Sequence, residues 1–307
     1  MKVVFVAGLT HSGSTVLDML LGGHSELVGL GEAASLVCQK PAKLIESDRR
    51  CSCGNRLADC VFWSEVLKRL RNDAAQAPAQ RYNVVLRVFK DVFGAARIPV
   101  DSSKSLSTLR LVSAASNIDL RVIHLIRDVR AWTVSHLDVD RRQRAQGMER
   151  VRAENPGRLW LYYLRKLSLV RFAIWHRGNR QIERYLGGTG RARLEVSYEG
   201  LALDGQQIVA DICTFLGVRQ EPLLAQLAST SSHVALGNPM RLDAGRRAAV
   251  RYDHRWLTRR EWVLASLLMP HVMTYNDAHV YHQSGSRRRD ASKRTEGLRA
   301  DEPRKSA

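Results

Sequence analysis

Long hydrophobic runs are missing from this chain of 307 residues. No apolar stretch approaches the roughly 18 residues of a membrane-spanning helix, and the apolar stretch at 2–9 is too short for the core of a secretion signal. Hydrophobic residues nevertheless make up 45% of the chain, which is enough for a full α/β core. These observations predict a globular cytoplasmic protein without a membrane span.

Acidic residues are scarce relative to basic ones. The chain has 30 Asp and Glu against 48 Lys and Arg, for a net charge of +18. Most of the basic residues are arginine, whose planar fork binds phosphate and sulfate through two hydrogen bonds. A polyanionic ligand is therefore favoured. Nucleic-acid binding stays an alternative because excess positive charge is its usual footprint, but the arginines are scattered, and nucleic acid is not the expected partner.

Paired Cys-x2-Cys motifs are also missing. The cysteines are odd in number and fit reduced thiols better than a secreted disulfide framework; they are Cys38, Cys51, Cys53, Cys60 and Cys213. The spacing of the three at 51, 53 and 60 leaves zinc ligation, a disulfide and free thiols open. The chemistry predicted below requires no metal.

The most informative stretch lies near the N-terminus. An apolar β-branched run leads into Gly8-Leu9-Thr10-His11-Ser12-Gly13-Ser14-Thr15, and an apolar helical pattern follows. This order predicts a strand, a loop and a helix N-terminus, where backbone N–H groups at 12–15 can hold a phosphate. An ordinary Ser/Gly turn that caps the helix is the alternative. The spacing nearly matches a Walker loop, but Ser14 replaces its lysine, so a triphosphate is not the expected ligand.

Further strand, loop and helix patterns follow along the chain. Apolar runs at 98–101, 120–126 and 194–196 each end in polar residues. In an open parallel sheet such residues meet at the carboxyl edge, where ligands bind. The pattern predicts an α/β fold with a central parallel sheet and helices on both faces.

Several segments outside these strands are predicted to be turns, loops or insertions. Residues 28–32 indicate a short turn that presents Glu32 next to the loop. A helical, cysteine-bearing insertion is predicted at about 38–95, and an arginine-rich lid at 136–157. One domain would span 1–283, and the basic segment 284–307 would be a disordered tail because apolar residues almost vanish there.

Three motifs together resemble those of sulfotransferases that use 3′-phosphoadenosine-5′-phosphosulfate (PAPS), in the bacterial and tyrosylprotein-sulfotransferase-like branch. The N-terminal loop resembles their 5′-phosphosulfate loop. Leu125-Ile126-Arg127-Asp128-Val129-Arg130-Ala131 with Ser135 resembles their 3′-phosphate motif, and Val196-Ser197-Tyr198-Glu199-Gly200-Leu201 with Phe215-Leu216-Gly217 resembles their third block. The resemblance covers about 1–260 and implies a P-loop-like three-layer domain.

The resemblance also implies which residues bind the donor. The 5′-phosphate would be held by the loop residues Thr10, His11, Ser12, Gly13, Ser14 and Thr15. Arg127 and Ser135 would hold the 3′-phosphate, although Arg127 could instead form a surface ion pair. Tyr198 would lie near the adenine or simply be a buried strand-end residue. Arg241 would close over the 3′-phosphate.

Catalytic roles follow from the same resemblance. Leu30-Gly31-Glu32 resembles the segment that supplies a catalytic glutamate, so Glu32 is the predicted general base. His24 and His136 are rival bases, and Glu32 could instead cap the next helix. His11 stands where the family usually has Lys or Arg, so it could act as a cation only when protonated. Lys104 could supply the positive charge or merely sit at a helix start.

The predicted function is sulfuryl transfer from PAPS to an acceptor hydroxyl by in-line displacement. The acceptor could be a glycan, a lipid, a phenol or a small metabolite. One alternative is a P-loop small-molecule kinase whose magnesium would be held by Asp101 or Asp128. Another is a non-enzymatic nucleic-acid-binding or scaffold protein.

Overall fold

Five parallel strands form the centre of the computed structural model, which describes residues 1–72, 77–142, 167–222, 232–242 and 250–281. The strands are β1 (Lys2–Gly8), β2 (Leu27–Gly31), β3 (Ile98–Lys104), β4 (Asp119–Ile126) and β5 (Arg193–Ser197). They pair in the order β2-β3-β1-β4-β5, and each neighbouring pair is parallel.

Helices connect the strands and cover the sheet. Within the described ranges they are α1 (Ser14–Leu21), α2 (Ala33–Val37), α3 (Pro41–Ile45), α4 (Trp63–Asn72), α5 (Pro78–Phe93), α6 (Leu106–Ser113), α7 (Val129–Arg142), α8 (Ser168–Thr189), α9 (Tyr198–Leu203), α10 (Gly205–Leu216), α11 (Val263–Leu268) and α12 (Pro270–Asn276). None of these helices combines the length and apolarity needed to cross a bilayer.

The first strand shows why the sheet is covered on both sides. All residues from Val3 to Ala7 are fully buried. Val3 and Phe5 belong to the hydrophobic core on one face, whereas Val4 and Val6 belong to the core on the other. This continuous burial is typical of parallel sheets, whose crossover helices lie on both faces. The central parallel sheet with helices on both faces that the sequence predicts is confirmed.

The cysteine-bearing segment at 38–95 packs directly against the sheet. Trp63 of α4 and the α5 residues Tyr82 and Phe89 are fully buried in the same core cluster as Phe5 of β1. Helix α5 then returns the chain to β3, which pairs with β2 and β1. The segment therefore forms part of one face of the core. The predicted tail at 284–307 lies outside the described residues.

Two predictions of irregular structure were wrong in the described residues. The turn predicted at 28–32 is largely the edge strand β2, whose glycines obscure its pattern but whose backbone pairs with β3. The lid predicted from His136 onward begins inside α7, which continues to Arg142 because Trp132 and Val134 pack into the core. The rest of the predicted lid, 143–157, lies outside the described ranges.

Candidate functional site

The carboxyl edge of the sheet gathers polar residues from every strand. The loop after β1 leads into α1, and Glu32 directly follows β2. Lys104 ends β3, Arg127 follows β4, and Tyr198 follows β5. Because all five strands are parallel, these groups lie along one edge. Residues that are separated by more than a hundred positions thus become neighbours.

The loop after β1 presents an open helix N-terminus. Gly13 precedes α1 with φ of 94° and has no side chain to cap the helix. The first N–H groups of a helix have no intrahelical acceptor, so those at the start of α1 are suited to bind an anion. The hydroxyl-bearing residues Ser12, Ser14 and Thr15 are all buried there.

Side chains from elsewhere in the fold hold this loop in place. The indole Nε1 of Trp132 donates a hydrogen bond to the carbonyl of Thr10 at 2.7 Å. Arg127 Nη1 donates to the carbonyl of His11 at 2.6 Å. On the other side, the backbone N–H of Asn238 donates to Thr15 Oγ1 at 3.2 Å. Contacts from two distant parts of the chain, 127–132 and Asn238, therefore hold the loop.

The Tyr198 ring lies against the loop after β1 at Gly13. A Cβ added to Gly13 would lie 2.3 Å from Cδ2 of the Tyr198 ring, so only glycine fits there. The Tyr198 hydroxyl donates to the carbonyl of Arg251 at 2.8 Å, and the Arg127 guanidinium lies 5.0 Å from the ring centroid. Tyr198 thus packs on the candidate phosphate loop, and a contact with adenine stays a prediction.

Arg127 is a largely buried cation at this edge. Its Nη2 pairs with the carboxylate of Asp253, and its carbonyl accepts a hydrogen bond from Trp175 Nε1 at 2.9 Å. Its Nε is buried and has no hydrogen-bond partner among the described residues. The guanidinium therefore has one donor that the described protein groups do not use. The predicted partner Ser135 is buried in the second turn of α7.

Glu32 and Lys104 form an ion pair between the ends of β2 and β3. The carboxylate of Asp101 fixes both segments: it accepts hydrogen bonds from the N–H of Ala34 at 2.9 Å and of Ser103 at 2.8 Å. Burial raises the pKa of Asp101 to about 6. The structure thus brings the predicted base and the predicted cation into direct contact.

The three histidines that the sequence singled out differ in their surroundings. Burial, followed by the charges of Arg127 and Lys104, lowers the pKa of His11. His11 is therefore neutral near pH 7 in the free protein, and the suggested protonated form is not favoured. Burial and the neighbouring His11 lower the pKa of His136 to about 3. The His136 ring packs against Trp132 in a tilted arrangement, with ring centroids 4.1 Å apart and an angle of 54° between the planes.

His24 is unsuited to be a rival base. It precedes β2 and therefore lies at the amino edge of the sheet, opposite Glu32. Both of its ring nitrogens bind the backbone: Nε2 lies 2.7 Å from the carbonyl of Arg219, and Nδ1 accepts from the N–H of Glu26 at 3.0 Å.

Arg241 is a buried residue that hydrogen-bonds to the backbone of two segments. Its guanidinium donates to the carbonyls of Gly237 at 3.1 Å and of Arg50 at 3.3 Å. These bonds join the 232–242 segment to the cysteine-bearing segment. A contact of Arg241 with a 3′-phosphate stays a prediction.

The two aspartates considered as magnesium ligands already have protein partners. Both carboxylate oxygens of Asp101 accept backbone hydrogen bonds. Asp128 accepts from Arg130, Asn276 and Tyr281. Burial raises the pKa of Asp128, but the hydrogen bond and charge of Arg130 outweigh that effect, so the net shift is downward. Each carboxylate is used to position structure at the edge.

Sequence reasoning missed two residues of this edge. Asp253 pairs with Arg127 across 126 positions, and it lies in a stretch where no motif marks it. Trp132 lies between Ala131 and Ser135 of the second motif but is not part of it, and its bond to Thr10 depends on how α7 packs. An aromatic residue five positions after a strand-end arginine was the only available signal.

Comparisons with known proteins agree with this geometry. The chain matches the model described as "Sulfotransferase family" over residues 3–222. It is similar to the solved sulfotransferase domain from the curacin biosynthetic pathway, with 21% identity, 88% of this chain and 97% of that chain covered, and a TM-score of 0.54. It is also similar to the sulfotransferase domain from the Synechococcus PCC 7002 olefin synthase, with 19% identity, 88% of this chain and 94% of that chain covered, and a TM-score of 0.46. No curated protein matches the sequence significantly.

The family match spans more than half of the chain, from residue 3 to 222. The curacin-pathway domain supports the P-loop-like α/β fold. The match also decides between the enzyme class predicted from the sequence and the kinase and scaffold alternatives. The chain therefore belongs to the sulfotransferase family and is an enzyme of sulfuryl transfer.

Proposed function

We propose that this enzyme transfers a sulfuryl group from PAPS to an acceptor hydroxyl, with Glu32 as the general base. The observation that supports this most directly is the single edge that carries the loop after β1, Arg127 and the Glu32–Lys104 ion pair. A donor with one phosphosulfate and one separate 3′-phosphate requires two anion sites. The edge offers two positions of suitable charge.

The first anion site is the N-terminus of α1. N–H groups at Ser14 and Thr15, together with the helix dipole, would bind the 5′-phosphate. The second site is the buried guanidinium of Arg127, whose Nε has no partner among the described residues. Asp253 now pairs with that guanidinium and would have to share it with a 3′-phosphate. Ser135 is the further proposed ligand.

The donor supplies the sulfuryl group, which leaves a phosphate oxygen and joins the acceptor oxygen. Glu32 takes the proton that the acceptor hydroxyl loses, so that proton and charge balance. Lys104, at the end of the adjacent strand, stabilises negative charge on the leaving phosphate oxygen. Neutral His11 can donate one N–H to the same oxygen. The Glu32–Lys104 pair keeps both groups in position before the substrates bind.

The donor assignment is tested by calorimetric titration of metal-free protein with 3′-phosphoadenosine-5′-phosphate, alongside ATP with magnesium. We expect binding of the bisphosphate in the micromolar range or tighter. Arg127→Ala should abolish it. Arg121→Ala, within the β4 strand that precedes Arg127 and paired with Asp119, should not. Binding of magnesium-ATP alone would contradict the assignment.

The role of Glu32 is tested with Glu32→Gln, which removes the base but keeps the shape of the side chain. Release of the bisphosphate product from PAPS would be followed with a panel of phenols, sugars and alcohols. We expect turnover to be lost while bisphosphate binding survives, and Glu46→Gln, an exposed site at the end of α3, to behave like wild type. A fully active Glu32→Gln enzyme would remove Glu32 as the base.

A further inference from the structure

We infer that Cys51, Cys53, Cys60 and His233 form a structural zinc site, hereafter the cysteine–histidine cluster. One ligand atom from each residue lies within 4.8 Å of all the others. The sequence left the cysteines open between zinc, a disulfide and free thiols. The fold decides the question by adding a histidine that lies 173 positions beyond Cys60.

The distances are close to those of a tetrahedral site. With Zn–S near 2.3 Å and Zn–N near 2.0–2.1 Å, the sulfur–nitrogen edge of a tetrahedron is about 3.6 Å. His233 Nδ1 lies 3.2 Å from the Cys60 sulfur and 3.8 Å from the Cys51 sulfur. Small side-chain shifts would therefore bring all four ligand atoms to bonding distance.

The donor set is the one that zinc prefers in closed structural sites. Three thiolates and one imidazole complete the coordination and leave no open position for substrate. All five cysteines lie in the described ranges, and none of them forms a disulfide. Cys51 and Cys60 are buried, while Cys53 and His233 are half-buried. The cluster is thus shielded and rich in ligands that bind soft metal ions.

The backbone around the cluster holds the ligands in position. Ser52 lies between Cys51 and Cys53. Its N–H donates to the carbonyl of Val234 at 3.1 Å, and its hydroxyl donates to the carbonyl of Ser232 at 2.8 Å. The indole of Trp63 donates to the carbonyl of His233 at 2.6 Å. Such supporting bonds orient metal ligands.

The cluster connects two parts of the candidate active site. The N–H of His233 donates to the carbonyl of Gly29 at 2.7 Å, in the strand that ends before Glu32. The same segment reaches Asn238, whose N–H donates to Thr15 of the phosphate loop at 3.2 Å. Zinc at the cluster would fasten this segment at one end and so brace both the loop and Glu32.

The first test is the zinc content of the full-length wild-type chain, purified without chelators and measured by plasma mass spectrometry. We expect about one zinc ion per chain, released by a mercurial reagent that blocks thiolates. Replacement by cobalt should produce the absorption of a tetrahedral thiolate complex. A chain without metal, or one with a Cys51–Cys60 disulfide in non-reducing peptide mass spectra, would overturn the inference.

Variants identify the ligands. Cys53→Ser and His233→Asn should lower the zinc content to well below one ion per chain, whereas Cys38→Ser and Cys213→Ser, which lie outside the cluster, should retain it. Unchanged zinc content in Cys53→Ser and His233→Asn would contradict the assignment. If a ligand variant does not fold, the wild-type measurement still decides. Zinc content requires neither donor nor acceptor, so its outcome is independent of the proposed function.

Discussion

Replacing Gly13 with alanine tests the packing of the loop after β1 against Tyr198. Gly13 has a φ of 94°, a left-handed conformation that costs an L-residue about 1–2 kcal/mol. The new Cβ would also lie 2.3 Å from the Tyr198 ring, too close for any real contact. Either the loop or the ring must therefore move.

The cost of that movement follows from the contacts of Tyr198. Its hydroxyl donates to the carbonyl of Arg251 at 2.8 Å, and losing such a hydrogen bond costs about 1 kcal/mol. Gly13→Ala should thus destabilise the protein by about 2–3 kcal/mol in total. Gly190→Ala is the matched control: Gly190 has a φ of 62° and nothing within 4 Å of an added Cβ. Gly190→Ala should therefore lower the free energy of unfolding only by the cost of the left-handed backbone conformation, about 1–2 kcal/mol.

Two measurements separate these variants. Thermal unfolding should show a larger loss of stability for Gly13→Ala than for Gly190→Ala. Calorimetry should show weakened binding of 3′-phosphoadenosine-5′-phosphate only for Gly13→Ala, because the N–H groups of Ser14 and Thr15 shift with the loop. If Gly13→Ala matched Gly190→Ala in both measurements, the packing of Tyr198 on the loop and the location of the 5′-phosphate site would both be refuted.

Two further predictions concern buried charge. Lys104→Gln should lower kcat about 10²–10³-fold, as expected when a group that stabilises developing charge is lost, while bisphosphate binding changes little. Lys90→Gln is the control. An unchanged kcat in Lys104→Gln would mean that Lys104 serves only as the ion-pair partner of Glu32. Burial raises the pKa of Asp18 to about 8. The folded state holds this proton more tightly than the unfolded state. The free energy of unfolding should therefore fall as the pH rises from about 4 to about 8, by at most about 1.4 kcal/mol per pH unit. In Asp18→Asn, the free energy of unfolding measured by denaturation should depend less steeply on pH across this range. An unchanged pH dependence would contradict the raised pKa of Asp18.

Much of the fold could be predicted from the sequence because it depends on local patterns. The β-branched run before Gly8 and the apolar run before Arg127 are strands in the structure. The Gly/Ser loop between a strand and a helix is also local, and it becomes the start of α1. Where the local pattern was weak, as in the glycine-containing edge strand β2, the prediction was a turn, and it was wrong.

The arrangement of the site depended on contacts between distant residues. The sequence alone determined that polar residues follow the predicted strands and that Ser14 stands where a Walker loop has its lysine. Only the tertiary structure decided that Glu32 pairs with Lys104, that Arg127 pairs with Asp253, and that His233 joins the cysteines. The physical reason is that hydrogen bonds within one strand or helix follow from neighbouring residues, whereas these pairings form only when the packed core brings separate segments together.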